Sequence, residues 1–509
     1  MARYKEYSYS QTALIPVSLE EQIVPGTLEF AIHTLVETRM DLSIFDDKFK
    51  NDDTGRLAYD PKILLKIVLF GYSRGLTSSR KLESACKENI IFMAMACGSQ
   101  PDHSTIAAFI SAMRKEIMPL FRDILLVCDQ ENLLGGTFFA LDGCKLPSNA
   151  SSEYSGKIST IKQKKKKVEK RIKSLLDKHA EEDKKQNRKK SGRKSSGGKP
   201  PGGSAREKKI KKLKKQADRI KKWLKENSPK AGRRGRELSS NITDNESAAM
   251  VSSHGNIQGY NAQAMVDDKK QIIIHGEAFG DAQDTYLAPP VLDGAKENIK
   301  QIGHGEDYFK GTILTADSGY YGPPNINKCK EEKIDAYIPD KRFRQRDPEL
   351  KVIYKKKPKN YGLEAFQHDQ DIDQYICPNN KKLRRTAKNI HQGETVYRGY
   401  MAYEKDCAEC KLKLKCTNGK HRHLNVPVGF VPGSMKEEMV KKLDCAAGKE
   451  IYSRRIGIVE PVFGNIRTQK NMSRFTLRGK TKVNIQWVLF CMVHNIEKIL
   501  NYGLSCKVT

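Results

Sequence analysis

The sequence predicts an α/β protein: a mixed sheet flanked by helices, preceded by an all-helical N-terminal domain and interrupted by two inserts. Three observations carry this expectation. Apolar residues recur at helical spacing through roughly the first 130 positions. Two short apolar runs each end on a carboxylate, Thr137-Phe138-Phe139-Ala140-Leu141 before Asp142 and Thr312-Ile313-Leu314-Thr315-Ala316 before Asp317. Between them Tyr260 to Asp267 alternates in polarity, and a charged turn, Asp267-Asp268-Lys269, leads into Ile272-Ile273-Ile274, which is the pattern of a β-hairpin.

In the N-terminal part, Pro61 opens the run Lys62 to Phe70, and proline suits the first turn of a helix. Gly75 closes it, and Thr77-Ser78-Ser79 can cap a second helix through Leu82 to Cys86. Pro101-Asp102-His103-Ser104 opens a third, with Ile106, Phe109, Ile110 and Met113 on one face. Short helices joined by tight turns suit a helix-turn-helix-like DNA-binding unit, and fit a plain helical bundle equally well. His103 reads as a helix-start residue.

The charge is unevenly placed. The chain of 509 residues carries a formal net charge of +31. From Lys157 to Arg236 there are 33 Lys+Arg against 8 Asp+Glu, so this one segment holds most of the excess. Such density inside a chain points to a polyanionic partner, nucleic acid above all. The segment has two seams, Ile161, Val168, Ile172 and Leu175, then Ile210, Leu213, Ala217, Ile220 and Leu224. The Gly/Ser/Pro/Lys-rich stretch Ser191 to Ser204 separates them. It reads as an antiparallel helical hairpin with lysine-covered outer faces, plain disorder being the alternative.

After the hairpin strands, Tyr286 to Ile299 reads as helix, followed by the Asp317 strand, a helix near Ile326 to Glu332 and a strand over Ile334 to Ile338. Residues 340–445 interrupt with sequence rich in Lys, Tyr and Cys, and Tyr452 to Tyr502 is helical again. The domain plan is therefore 1–130 helical, 131–156 with 237–340 the sheet, 157–236 the basic insert, 341–445 the Cys-containing insertion and 446–509 the closing helices.

The start, Met1-Ala2-Arg3-Tyr4-Lys5, carries no secretory pattern, and the longest apolar runs are too short to span a bilayer. A cytoplasmic, nucleoid-associated protein is expected, with no membrane partner and with its 12 cysteines reduced. Cys407-x2-Cys410-x5-Cys416, with Cys377 upstream, has the number of thiols that a structural Zn²⁺ takes, and His421 or His423 could replace one. Cys86, Cys128 and Cys491 sit in apolar patterns and belong to the core.

Leu141-Asp142-Gly143, Ala316-Asp317-Ser318-Gly319-Tyr320 and Tyr452-x2-Arg455-x4-Glu460-x6-Arg467 together resemble the DDE transposases of bacterial insertion sequences. The Gly259-Tyr260-Asn261-Ala262-Gln263 and Phe475-x2-Arg478-Gly479 segments are similar to that family as well. The resemblance spans nearly the whole chain and implies an RNase H-like catalytic core. It departs in two places: four residues rather than three separate Arg455 from Glu460, and Arg467 stands where the family has lysine. Pro461 suggests that Glu460 lies at a helix start or kink, and Glu450 is the competing acid.

The resemblance further implies that Asp142, Asp317 and Glu460 hold two Mg²⁺ (or Mn²⁺) ions. The ions would serve cleavage at the element's ends and then attack of the freed 3′-hydroxyl on target DNA. Tyr452, Arg455, Arg467 and Lys470 would contact DNA, double-stranded ends and target alike, in a synaptic homodimer. With only Trp223 and Trp487 in the chain, a hairpin intermediate that depends on a tryptophan in 340–445 has no support. The alternatives are an inactive transposase-derived DNA-binding protein, a nuclease without strand transfer, and a scaffold built on the basic hairpin.

Overall fold

The computed structural model describes residues 16–48, 57–190, 203–232, 235–252, 255–347, 361–386, 389–392, 395–430 and 434–503. Helices come first: α1 (Leu28–Thr38), α2 (Pro61–Ser73), α3 (Ser79–Glu88), α4 (Ile90–Met95), α5 (His103–Ala112) and α6 (Ile117–Gln130). Their starts follow from the sequence. The Asp60 carboxylate accepts the Lys62 N–H at 2.7 Å ahead of Pro61, and Asp102 accepts the Thr105 N–H at 2.8 Å. Gly75, at φ +72°, takes the left-handed conformation that ends α2. Gly71 lets α3 close on α2, since a Cβ there would sit 2.1 Å from Leu82 Cδ2.

Strand β1 (Phe138–Pro147) follows, then the short pair β2 (Ser155–Gly156) and β3 (Ser240–Asn241) bracketing two long helices, α7 (Ile158–Lys190) and α8 (Gly203–Glu226). Ile161 near the start of α7 packs with Ile220 and Trp223 near the end of α8, so the pair runs antiparallel. Of the predicted seams, Ile161, Ile210, Ala217 and Ile220 are buried and the others half-buried. Most of Ser191 to Ser204 lies outside the described residues.

The chain then adds β4 (Ala248–Ser252), β5 (Gly255–Asp267), β6 (Ile273–Phe279), α9 (Ala288–Gln301), β7 (Ile313–Ala316), α10 (Pro323–Glu331) and β8 (Asp335–Tyr337). The sheet runs β4-β5-β1-β7-β8, with β6 also on β5. β1 is antiparallel to β5 and parallel to β7, which is parallel to β8, so the sheet is mixed.

A second sheet forms within the insertion. After α11 (Phe343–Arg346), strands β9 (Gln367–Asp369), β10 (Gln374–Ile376), β11 (Lys382–Arg385), β12 (Ile390–Gln392) and β13 (Thr395–Ala402) lead to two short helices, α12 (Glu404–Ala408) and α13 (Lys413–Cys416), and to β14 (His423–Phe430). Its small core is Phe366, Tyr375, Leu383, Tyr400, Ala402 and Leu424. The flanks belong elsewhere: Phe343 of α11 and Met439 and Leu443 of α14 (Met435–Asp444) join the main core.

Helix α15 (Ala446–Gly464) runs into a π-helical turn at Asn465–Gln469, and α16 (Lys480–Tyr502) closes the fold. Buried residues line nearly every side of α16, as expected of a helix enclosed by protein. It packs on α1, α2 and α6 on one side and on β6 on the other, so the N-terminal helices and the sheet share one core. Its Asn495 amide accepts the Ile273 N–H and donates to the Ile273 carbonyl, both at 2.9 Å, while Asn484 accepts the Ala278 N–H. Polar side chains of a helix thus satisfy the free edge of β6. Among the described residues no helix is long and apolar enough to cross a membrane.

Candidate active site

Two carboxylates meet where β1 and β7 lie side by side. The parallel register pairs Leu141 with Ala316, so the next residues, Asp142 and Asp317, emerge together. β1 continues beside β5, with Asp142 opposite Ala264. β7 ends, and Asp317 caps a single 3₁₀ turn, Ser318–Tyr320, its Oδ1 accepting the Gly319 N–H at 2.7 Å. Asp142 Oδ1 accepts the Gly143 N–H at 2.8 Å. Neither glycine has room for a side chain: a Cβ at Gly143 would lie 2.0 Å from Gln263 Nε2, and one at Gly319 2.9 Å from Asp317 Oδ1.

Burial pushes the Asp142 carboxyl above its ordinary value, the Arg455 guanidinium draws it back, and Asp317 adds to the rise. Asp317 is also raised, first by burial and then by the neighbouring carboxylate of Asp284, against its bond from Gly319 and the charges of Arg455 and Lys145. Half-buried negative charge is therefore concentrated here. Such a set of hard oxygen donors fits a hard divalent cation.

Arg455 reaches the pair from α15. It is buried, its Nη1 donates to Asp142 Oδ2 at 2.8 Å, and its Nε–H has no partner among the described residues. The guanidinium lies over the Tyr452 ring at 6.0 Å, and Tyr452 in turn meets Phe343 edge-on at 5.4 Å. Tyr452 is thus in the middle of a helix and packed.

Glu460 is on the same helix but exposed. Five residues beyond Arg455, it lies about 140° around the helix axis from it. Glu450, five residues before Arg455, is offset equally in the other direction and is also exposed. Among the described residues, no group of three or more His, Cys, Asp or Glu side chains is placed to hold a metal ion.

Of the helix start or kink expected at Glu460, the structure excludes the start: α15 begins at Ala446, and Pro461 lies inside it. Proline lacks the N–H that would bond to the carbonyl of Gly457. The Gln271 side chain supplies that bond instead, Nε2 donating to Gly457 O at 2.9 Å.

Arg467 is exposed, and its charge acts on Cys144, two residues past Asp142 on β1. Arg467 follows Glu460 by seven residues, about two regular turns, but the π-helical turn breaks the helical relation that would put both on one face. Lys470 is placed differently from expectation. It is 1% exposed, and its ammonium bonds to Glu497 and Asn465, each at 2.5 Å. A buried cation already paired inside the protein is not presented to DNA.

Two residues of this region, Asp284 and Tyr320, have no role that the sequence alone assigns. Asp284, in a 3₁₀ turn after β6, accepts through Oδ1 from Asn261 Nδ2 at 2.6 Å and Gln263 Nε2 at 3.1 Å. Tyr320 donates its hydroxyl to Gln263 Oε1. The segment containing Asn261 and Gln263 is visible in the sequence as an alternating strand. Nothing local separates Asp284 from an acid at a helix start.

In the insertion, Cys377, Cys407 and Cys416 pack against the small core. Burial raises the Cys416 thiol, the Arg422 charge draws it back, and the charges of Cys407, Cys377 and Cys410 add to the rise. The Lys381 N–H donates to Cys377 Sγ at 3.3 Å, and Asn379 Nδ2 to Cys410 Sγ at 3.5 Å. The 11 described cysteines are all free thiols, and Cys86, Cys128 and Cys491 are buried.

A family model described as a transposase DDE domain matches residues 376–500. A second, a transposase domain (DUF772), matches residues 17–112. Both name a transposase, and transposases bind DNA. A DDE domain near one end and the second domain near the other indicate a DDE transposase of the insertion-sequence type. Asp142 and Asp317 lie between the two matched regions. No curated protein matches the chain. DDE transposases generally use divalent metals such as Mg²⁺.

Proposed function

We propose that the chain cleaves DNA at the ends of an insertion sequence and joins the freed 3′ ends to target DNA, at one site on an RNase H-like core. The observation that carries this is the pairing of Asp142 and Asp317 at adjacent positions of two parallel strands, with Arg455 against them. The strand order β6-β5-β1-β7-β8, with β5 reversed, supports the RNase H-like reading.

Asp142 and Asp317 would hold divalent ions, and these when bound would activate water and neutralise charge developing on the phosphate. Arg455 keeps Asp142 fixed and compensates its charge. Arg467, exposed near β1, would hold a backbone phosphate, and Tyr452 would support Arg455. No phosphate contact is proposed for Lys470. Glu460 is proposed as the third acid from its place in the Tyr-x2-Arg-x4-Glu-x6-Arg pattern on the helix that delivers Arg455.

The basic pair α7 and α8 would bind duplex DNA through phosphates, because its outer faces are lysine-rich and exposed. Cys377, Cys407, Cys410 and Cys416 would hold a structural Zn²⁺. What supports it is the packing of Cys377, Cys407 and Cys416 on one small core and the N–H donors aimed at Cys377 and Cys410, which favour thiolate. Pairing two ends would require two copies of the chain.

The test is cleavage and strand transfer with Mg²⁺ on DNA carrying the element's own ends. Wild type is compared with Asp142→Ala, Asp317→Ala and Glu460→Ala. Products from wild type alone are expected. Activity in Asp142→Ala or Asp317→Ala would overturn the reading, and activity surviving only in Glu460→Ala would move the third acid elsewhere.

A further inference from the structure

The Asp317 turn faces a second carboxylate that belongs to no recognised motif. Asp284 Oδ2 and Asp317 Oδ1 each lie 2.9 Å from the point where a Cβ on Gly319 would stand. The two oxygens are therefore less than twice that distance apart, across a notch that only glycine leaves open.

Asp284 is held for this position. Its Oδ1 is fixed by the amides of Asn261 and Gln263 on β5, and its backbone carbonyl accepts from Asn325 Nδ2 at 3.1 Å. Tyr320, directly after Gly319, is fully buried and bonds to Gln263, so the Asp317 turn and Asp284 are tied to the same amide. Oδ2 is left facing the notch. A carboxylate with one oxygen anchored by N–H donors and the other free is the arrangement of an oriented metal ligand. A hard cation with ligands at about 2.1 Å bridges oxygens up to about 4.2 Å apart, a separation inside that bound. Glu460, in contrast, is exposed, and lies about 140° around the helix axis from Arg455.

We propose that Asp284 is a metal-ligating carboxylate of this site, sharing a divalent ion with Asp317. The inference rests on the divalent-ion site proposed above and adds a ligand to it.

The experiment is Mn²⁺ binding to the full, DNA-free chain, read by the electron paramagnetic resonance signal of free Mn²⁺. Wild type is compared with Asp284→Asn, Asp284→Glu, Asp142→Asn and Asp317→Asn, with thermal unfolding as a check on fold. Asparagine keeps the Oδ1 acceptor for Asn261 and Gln263, so the unfolding midpoint should stay at the wild-type value. Affinity in Asp284→Asn is expected to fall by at least about 10-fold, since loss of an outer-shell partner alone costs on the order of 10- to 100-fold. Asp284→Glu, which keeps the charge, should bind more tightly than Asp284→Asn. Wild-type affinity in Asp284→Asn, or equal affinity in the two Asp284 variants, overturns the inference. If Asp142→Asn and Asp317→Asn weaken Mn²⁺ while Asp284→Asn does not, the site stands without Asp284. If none of the variants weakens it, the divalent-ion reading falls too.

Discussion

Replacing Arg455 by Met should destabilise the metal-free protein by about 3 kcal/mol at neutral pH. Arg455 is buried and its salt bridge to Asp142 measures 2.8 Å, the side chains being 9% and 21% exposed. Removing one partner of a buried pair costs about 3–5 kcal/mol, because the other charge is left uncompensated. Asp142 keeps some solvent and can take up a proton, which places the cost at the lower end. Methionine fills much of the volume of the arginine stem, so packing loss is small. The assay is guanidinium unfolding in chelator, in a Trp223→Phe background, so that fluorescence reports Trp487 in the main core. The pH dependence has a definite sign. Burial already holds the folded Asp142 above its ordinary value, and losing Arg455 removes a charge that lowers it. Stability conferred by a raised carboxyl is present at low pH and lost as pH rises through the folded value. The deficit of Arg455→Met therefore opens between the folded Asp142 value of the parent and the higher one of the variant, then levels off. Adding Asp142→Asn should remove this pH dependence and most of the deficit. A variant within about 0.5 kcal/mol of the parent, or a deficit untouched by Asp142→Asn, would refute the reasoning.

Gly448→Ala should be strongly destabilising, since a Cβ would meet the Lys442 carbonyl at 1.9 Å where α14 turns into α15; an unchanged unfolding midpoint would contradict this. Changing the exposed Lys211, Lys212, Lys214 and Lys215 of α8 to Gln should flatten the salt dependence of DNA binding, log K against log salt, by about 0.9 for each phosphate that is no longer neutralised. A slope equal to wild type would remove the hairpin from the DNA interface. Cys407→Ser and Cys410→Ser should lower the zinc bound per chain, measured by mass spectrometry of the purified protein; unchanged zinc would sink the structural-zinc proposal.

Much of the site is legible in the chain because apolar runs announce where they stop, although only Asp317 then follows a strand end and Asp142 lies in the middle of β1. The runs before Asp142 and Asp317 are apolar, the first aromatic and the second β-branched, and each stops at a carboxylate that cannot follow it into the core. The Tyr260 to Asp267 alternation likewise gives β5, although β4 in front of it has no comparable signal. Helix α15 is harder to read. Pro461 argues locally for a start, and the compensating bond comes from Gln271, far away in sequence. Lys470 reads as a surface cation because nothing near it in the chain shows that Glu497 will be its partner.

The sequence by itself determined the periodicities, and with them the N-terminal helices, most elements of the first sheet, the basic insert, and which acids close an apolar run. These depend on neighbours a few residues apart. The tertiary structure decided what those residues meet. It set the register that places Asp142 beside Asp317. It put Arg455 against Asp142 from 313 positions away. It turned Glu460 outward and Lys470 inward, and brought Asp284 to the Gly319 notch. Each of these is a contact between distant segments, fixed by how helices and sheet close around one core rather than by any local pattern.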